Sequence, residues 1–322
     1  MLLPDIALKN SITLLFLSFF LFISCDHKHK EYAKGVLFYS GFPHERELIG
    51  EVIELDTALL RYPFRIRIEG DRVIVMDLHG LDHYGHLFQY PSYQYLSSFG
   101  KRGDSLLRDE TVTLDEDILR PLDFAIYNDS MFIIPDYSGE NRLCRVNCNG
   151  KLIDKIGIIP TIDEKALENA RPALAQAWRS FLDYNPNNGI LAVVTQLGEV
   201  LEVYNLKDST HVVRIGEYGE PEFKISDGYG IPTGIMGFSD VQVTDSAIYT
   251  VFHGTSFKEI ARQSGRLPDG GKYIYVFSLK GEPLCKYVLD HYIYGIWVDE
   301  ATKTIIATDV NNDEPILKFN FG

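Results

Sequence analysis

The stretch PLDFAIYNDSMFIIPDYSGENRLCRVNCNGKLIDKIG, residues 121–157, reads as four short antiparallel strands joined by tight turns. LDFAI runs into the turn Tyr127-Asn128-Asp129-Ser130, and the almost wholly apolar MFIIP stops at Asp136. RLCRVN alternates in a half-buried way up to Asn149-Gly150, a dipeptide suited to the positive φ angles of a two-residue hairpin, and KLIDKIG supplies the fourth strand. A four-stranded meander that recurs along a chain is the pattern of propeller blades.

The unit does recur. Its first two strands return as FRIRIEGDRVIVMD, LDYNPNNGILAVVTQ, SDVQVTDSAIYTVFH and YGIWVDEATKTIIATD, with starts near residues 64, 122, 182, 239 and 294, a spacing of about 57 residues. Third strands follow as HLFQYPS, RLCRVNC, VLEVYNL, YIYVFSL and ILKFNFG. The fifth unit lacks a fourth strand, because the sequence stops at Phe321-Gly322. An unpaired edge would leave the ring open. IGEVIEL, residues 49–55, alternates correctly and belongs to no unit, so it is expected to pair with ILKFNF and close the ring. The fold is therefore read as an all-β propeller of four-stranded blades, with five repeats countable and six possible, occupying residues 36–322 as a single domain.

Ahead of that domain, Lys9 precedes an apolar run from Ile12 to Ile23, shorter than the roughly 20 residues of a bilayer span. Residues 1–24 read as a signal peptide, and Leu21-Phe22-Ile23-Ser24-Cys25 has the form of a lipobox with Cys25 as the acylated residue, although Phe22 stands where Leu is usual. Residues 25–35 then form a polar tether, whose His27 and His29 read as solvated. A lipid-anchored envelope protein is the expectation, outer membrane included, with the membrane as one partner. The net charge of −14 and the lack of a basic patch exclude nucleic acid as another.

The connections are uneven. Turns from first to second strand and from third to fourth are minimal, whereas residues 101–120, 161–180, 217–237 and 253–271 are long. In an up-and-down blade these long segments emerge on one face, and loops that exceed their connecting duty carry function. One face of the disc is expected to be elaborated and the other plain. IDEKALENARPALAQAW is expected to be helical and divided at Pro172, FKEIARQSGRLPDGG to hold a short helix, and DGYGIPTGIMG to be an irregular loop.

Aligned first strands place Arg65, Asp123, Asp183, Asp240 and Gly295 at equivalent positions around the mouth of the channel; aligned second-strand ends bring up Asp77, Asp136, Gln196, His253 and Asp309. Three carboxylates and an arginine facing one funnel suit a calcium-like divalent cation, a cationic ligand or acid–base work. Aspartates at strand starts also serve simply as acceptors for backbone N–H groups. Asp309-Val-Asn311-Asn-Asp313-Glu314 has only half of a calcium loop, and His79, His83 and His86 lack a cysteine partner at zinc spacing, so both read as turns. Cys144 and Cys148, four apart on one strand and so roughly 13 Å apart, are expected to stay free and mostly buried together with Cys285.

The series GDRVIVMD, HLFQYPSYQYLSSFGKRG, NGKLIDKIG and the closing ILKFNFG, taken with LFISC, resembles the TolB-like propeller lipoproteins of the Bacteroidetes, a family described as six-bladed. The resemblance implies a fold and an envelope address but no reaction. Two functions stay open: a non-catalytic lipoprotein that binds a protein, peptide or glycan on its elaborated face, and a metal-dependent hydrolase or lyase, lactonase-like, with its acidic site at the channel mouth. No nucleophile elbow, Walker loop or dinucleotide fingerprint is legible.

Overall fold

The computed structural model describes residues 35–55, 60–102, 112–116, 118–119, 121–262 and 267–322. The signal peptide, Cys25, the tether through residue 34 and much of the 101–120 insert lie outside these. The described chain begins with three short strands, β1 (Val36–Phe38), β2 (Glu45–Leu48) and β3 (Glu51–Ile53). Blade I follows as β4 (Pro63–Glu69), β5 (Arg72–Asp77), β6 (His83–Gln89) and β7 (Tyr95–Lys101), and blade II as β8 (Ala125–Asn128), β9 (Met131–Pro135), β10 (Leu143–Asn147) and β11 (Leu152–Ile156). Two helices, α1 (Glu164–Asn169) and α2 (Arg171–Ala177), precede blade III: β12 (Ser180–Asn185), β13 (Ile190–Thr195), β14 (Val200–Asn205) and β15 (Thr210–Ile215). A hairpin of β16 (Phe223–Ser226) and β17 (Tyr229–Pro232) leads to blade IV: β18 (Phe238–Val243), β19 (Ala247–Phe252), helix α3 (Phe257–Arg262), β20 (Gly271–Ser278) and β21 (Pro283–Ile293). Blade V has β22 (Ile296–Asp299), β23 (Thr304–Thr308) and β24 (Ile316–Asn320).

The fifth blade is completed as the alternation of residues 49–55 requires. β3 pairs antiparallel with β24, Ile53 opposite Ile316 and Val52 opposite Leu317, so first and last segments close the ring. On the way there the same segment covers two more edges: β1 lies parallel along β15 and β2 parallel along β21. A single N-terminal belt thus protects the outer edges of blades III and IV and completes V. No residues of 36–55 remain for a sixth blade, and the ring has five.

Burial of the strand faces explains most of the packing. Alternating apolar residues interlock blade with blade: Leu143, Leu182 and Leu191 between II and III, Phe181, Val241 and Phe277 between III and IV, Val251, Ile274 and Ile305 between IV and V, Ile66, Val73 and Ile316 between V and I. The seam between I and II is different. There Ile134, Cys144 and Val146 of blade II are covered by Leu114 and Ile118, from the segment that links the two blades. Asp115 fastens that segment to the turn at the far end of the blade, donating its N–H to the Gly150 carbonyl at 3.0 Å and accepting the Leu152 N–H at 2.9 Å. The described part of the 101–120 insert therefore runs down an open blade face instead of elaborating the loop face, because an apolar sheet face left without a neighbour must be covered.

Two local readings are corrected. Asn149-Gly150 does not form a two-residue hairpin: the Asn147 N–H reaches the Lys151 carbonyl at 3.0 Å, Gly150 takes φ +82°, and the register shifts after Arg145. Glycine is needed there for that φ and because a Cβ would strike the Thr113 carbonyl. DGYGIPTGIMG is not irregular throughout, since β16 and β17 pair around Asp227-Gly228, both with positive φ, and Asp-Gly between alternating residues is itself a hairpin signal. The helical expectations agree with the structure: Asp163 caps α1 by accepting the Ala166 N–H at 3.0 Å, and Pro172 stands in the first turn of the separate α2. Trp178, which ends α2, is fully buried as a packing residue.

Candidate functional site

First-strand residues do gather in the channel, and each carboxylate there is occupied. Asp123 Oδ2 accepts the Leu182 N–H of blade III at 3.1 Å, Asp183 Oδ2 the Val243 N–H of blade IV at 2.7 Å, and Asp240 Oδ2 the Ile296 N–H of blade V at 2.9 Å. Each aspartate thus reaches one blade onward, a relay that pins successive innermost strands. Two guanidiniums from blade I complete the circle. Arg65 pairs with Asp123 and stands 3.4 Å from Asp240, while Arg67 makes a bidentate pair with Asp240 at 2.9 Å for both bonds. Arg67, two residues beyond the aligned position, is absent from the set that register-matching selects. It was detectable only as an inward-facing charge on β4.

This arrangement separates the acids. Burial works against the ionised form of Asp240, but Arg67 and Arg65 outweigh it and hold the carboxyl below its usual range. Asp183 has only the more distant help of Arg67, so burial pushes it up to about 6. A cation would have to displace guanidiniums to reach the oxygens of Asp123 and Asp240. Among the described residues no three His, Cys, Asp or Glu side chains converge to hold a metal ion, so the residues present do not fit the calcium-like ion.

The second-strand residues are held by partners of their own. Asp77 accepts the N–H groups of Arg61, Tyr62 and His79 at 2.7, 2.8 and 3.0 Å. Asp136 accepts from Ser138 N–H at 2.9 Å and pairs with Lys155 at 3.1 Å. Asp309 accepts the Asn311 N–H at 2.8 Å, which makes the half calcium loop a side-chain-capped turn. His253, with 8% of its surface exposed, stacks edge-on to Tyr294 at 5.8 Å, and burial pushes its imidazole down to about 4. His86 is likewise buried, its Nδ1 2.9 Å from Ser98 Oγ. Among the described cysteines Cys144 is buried, Cys148 exposed and Cys285 half-buried, and all three are free, so the expectation of mostly buried thiols holds for Cys144 alone.

What the structure brings together instead are the inserts. α2, the β16–β17 hairpin, the first turn of α3 and the β13–β14 connection meet around a cleft of about 340 Å³. The hairpin is seated against α2 by the Gly230 N–H, which donates to Gln176 Oε1 at 3.2 Å, and by the bare Cα of Gly230, where a Cβ would meet the Ala173 carbonyl. Met236 pairs with Leu197 and Ile235 with Ser256 as single bridges, tying the loops of blades III and IV into one rim. Leu197, Ile231, Met236 and Phe257 line the cleft with apolar surface, Tyr229 stands at its edge 59% exposed, and Arg179, Gln176 and Gln196 add polar groups. The functional class of loops was legible in the sequence, but not this meeting point, since its walls lie in segments far apart along the chain.

Five four-stranded blades, a belt-closed ring and one loop-built cleft define the molecule as a β-propeller with a single elaborated face. The chain belongs to the TolB-like 6-blade propeller-like family, whose model matches residues 42–106 and 104–301. No curated protein matches it. Solved structures of similar fold include a putative exported protein from Bacteroides fragilis (10% identity, TM-score 0.49, covering 88% of this chain and 99% of that one). Others are the Myxococcus xanthus glutaminyl cyclase (11%, 0.42, 86% and 98%) and an auxiliary nutrient binding protein from Bacteroides ovatus (10%, 0.39, 80% of this chain but 58% of that one). At such identities the likeness concerns the fold alone.

Proposed function

We propose that this protein is a non-catalytic envelope lipoprotein, anchored through Cys25, whose elaborated face binds a protein, peptide or glycan partner in the cleft between α2, the β16–β17 hairpin and α3. The observation that carries the reading is the convergence of three separate inserts on one cleft. Loops this long are not needed to join the blades, and their mutual packing costs conformational entropy that a connecting role would not justify. Exposed apolar side chains lie on the elements that form the cleft, with Ile225 and Ile231 on the hairpin and Ile260 on α3, as a partner-binding surface requires. In the channel, by contrast, the acids are held by backbone N–H groups and arginines, which favours a structural relay over a metal-dependent hydrolase.

Calorimetry of the full chain against short peptides and oligosaccharides tests this. Binding that a Tyr229→Ser, Phe257→Ser double variant reduces at least ~10-fold supports the reading, as removal of two aromatic contacts in the lining typically does. Binding that survives in that variant but is lost in Arg67→Ala would move the site to the channel and overturn it.

A further inference from the structure

The lining chemistry of the cleft points to a ligand class, and this inference rests on the binding reading above. Arg179 is the one charged residue in the lining. Its guanidinium lies 5.8 Å over the Tyr137 ring and makes no ion pair among the described residues. Gln176 accepts a backbone N–H through Oε1, which sets the orientation of its amide and, among the described residues, leaves both Nε2 hydrogens uncommitted. Among the described residues Gln196 engages through its backbone, with Arg179 and Gly237. In a chain of net charge −14, a cleft whose described lining has no acid and carries Arg179, amide donors and an apolar floor is complementary to an anion with an apolar body.

We propose that the cleft binds a carboxylate carrying an aromatic or branched aliphatic group beside the acid, such as the C-terminal residue of a peptide. The carboxylate pairs with Arg179 and takes a hydrogen bond from the Gln176 amide, while the apolar group lies against Leu197, Ile231 and Phe257. A planar guanidinium matches a carboxylate through two parallel N–H bonds, which an uncharged amide cannot reproduce.

N-acetylphenylalanine and N-acetylphenylalaninamide differ only at that group, and calorimetry of both against the full chain reads the difference. The acid is expected to bind at least ~10-fold more tightly than the amide, the size of one charge-assisted pair. Arg179→Ala should abolish that preference and Arg179→Lys should retain part of it, with thermal transitions matching the parent. Equal binding of acid and amide, with both weakened by Phe257→Ser, overturns the carboxylate assignment and keeps the cleft as the binding site. A preference for the acid that persists in Arg179→Ala overturns it too. Acid binding that neither Arg179→Ala nor Phe257→Ser changes overturns the assignment and the cleft together. Displacement of the acid by equimolar inorganic phosphate assigns the guanidinium to phosphate instead.

Discussion

Asp183 is the weakest link of the channel relay, because it is half-buried without a guanidinium of its own. Its folded carboxyl stands at about 6, above the roughly 3.9 of an unfolded chain. A raised folded value means that the stability tied to this group is fully present below pH 4 and is lost as pH rises through 6. Asp183→Asn keeps an acceptor for the Val243 N–H and removes the charge, so it should raise stability by about 2 kcal/mol at pH 7.5 and change little at pH 4. Thermal unfolding of both proteins at the two pH values checks this, and a destabilised variant at pH 7.5 would show that the charge is needed. Glu202 is the opposite case. Fully buried, it receives Arg142 Nε at 2.6 Å and Tyr204 Oη at 2.8 Å. Burial opposes its ionised form, yet Arg142 and His211 hold it down at about 2. Glu202→Gln would leave the Arg142 guanidinium, 1% exposed, without a counter-charge, and should cost about 3–5 kcal/mol in denaturant unfolding.

Among the elements, the N-terminal belt carries the most consequence for its size. β1, β2 and β3 total few residues, but they cover two blade edges and supply the last strand of a third. Arg46 adds to the closure by donating to the Phe321 carbonyl at 3.1 Å, at the far end of the sequence. Removal of residues 36–55 should therefore abolish the single cooperative thermal transition of the domain, whereas a truncated protein that melted like the parent would show the belt to be dispensable. β3 was readable because its alternation is complete and blade V visibly lacks a strand. The roles of β1 and β2 were not readable, since short parallel edge strands have no turn signal to mark their partner. Residues 112–116 and 118–119 depart from the loop-face expectation for a related reason: loop length is visible in a sequence, but the side of a blade that needs covering is not.

For the whole molecule, the plain and elaborated faces set a geometry. Gly35, where the described chain begins, lies beside His211 near the plain-face end of β15, opposite the side on which the inserts meet. Cys25→Ser should shift the protein from the membrane to the soluble fraction, and an unchanged membrane fraction would remove lipidation at this residue from the proposal. Among the described residues no helix is long and apolar enough to cross a membrane.

The sequence by itself determined the four-stranded blades and the closure of the ring, because strand alternation and turn chemistry are local and each blade repeats them, while the choice between five blades and six came from the tertiary structure. It also located the acids that face the channel, since register alone aligns Asp123, Asp183 and Asp240. Only the tertiary structure decided what those acids do, and where a ligand would find room. Arg67 enters their circle from another blade, and Arg179, Tyr229 and Phe257 become neighbours only through the packing of three inserts. Hydrogen-bond partners and cleft walls depend on distances between remote segments, which periodicity does not encode.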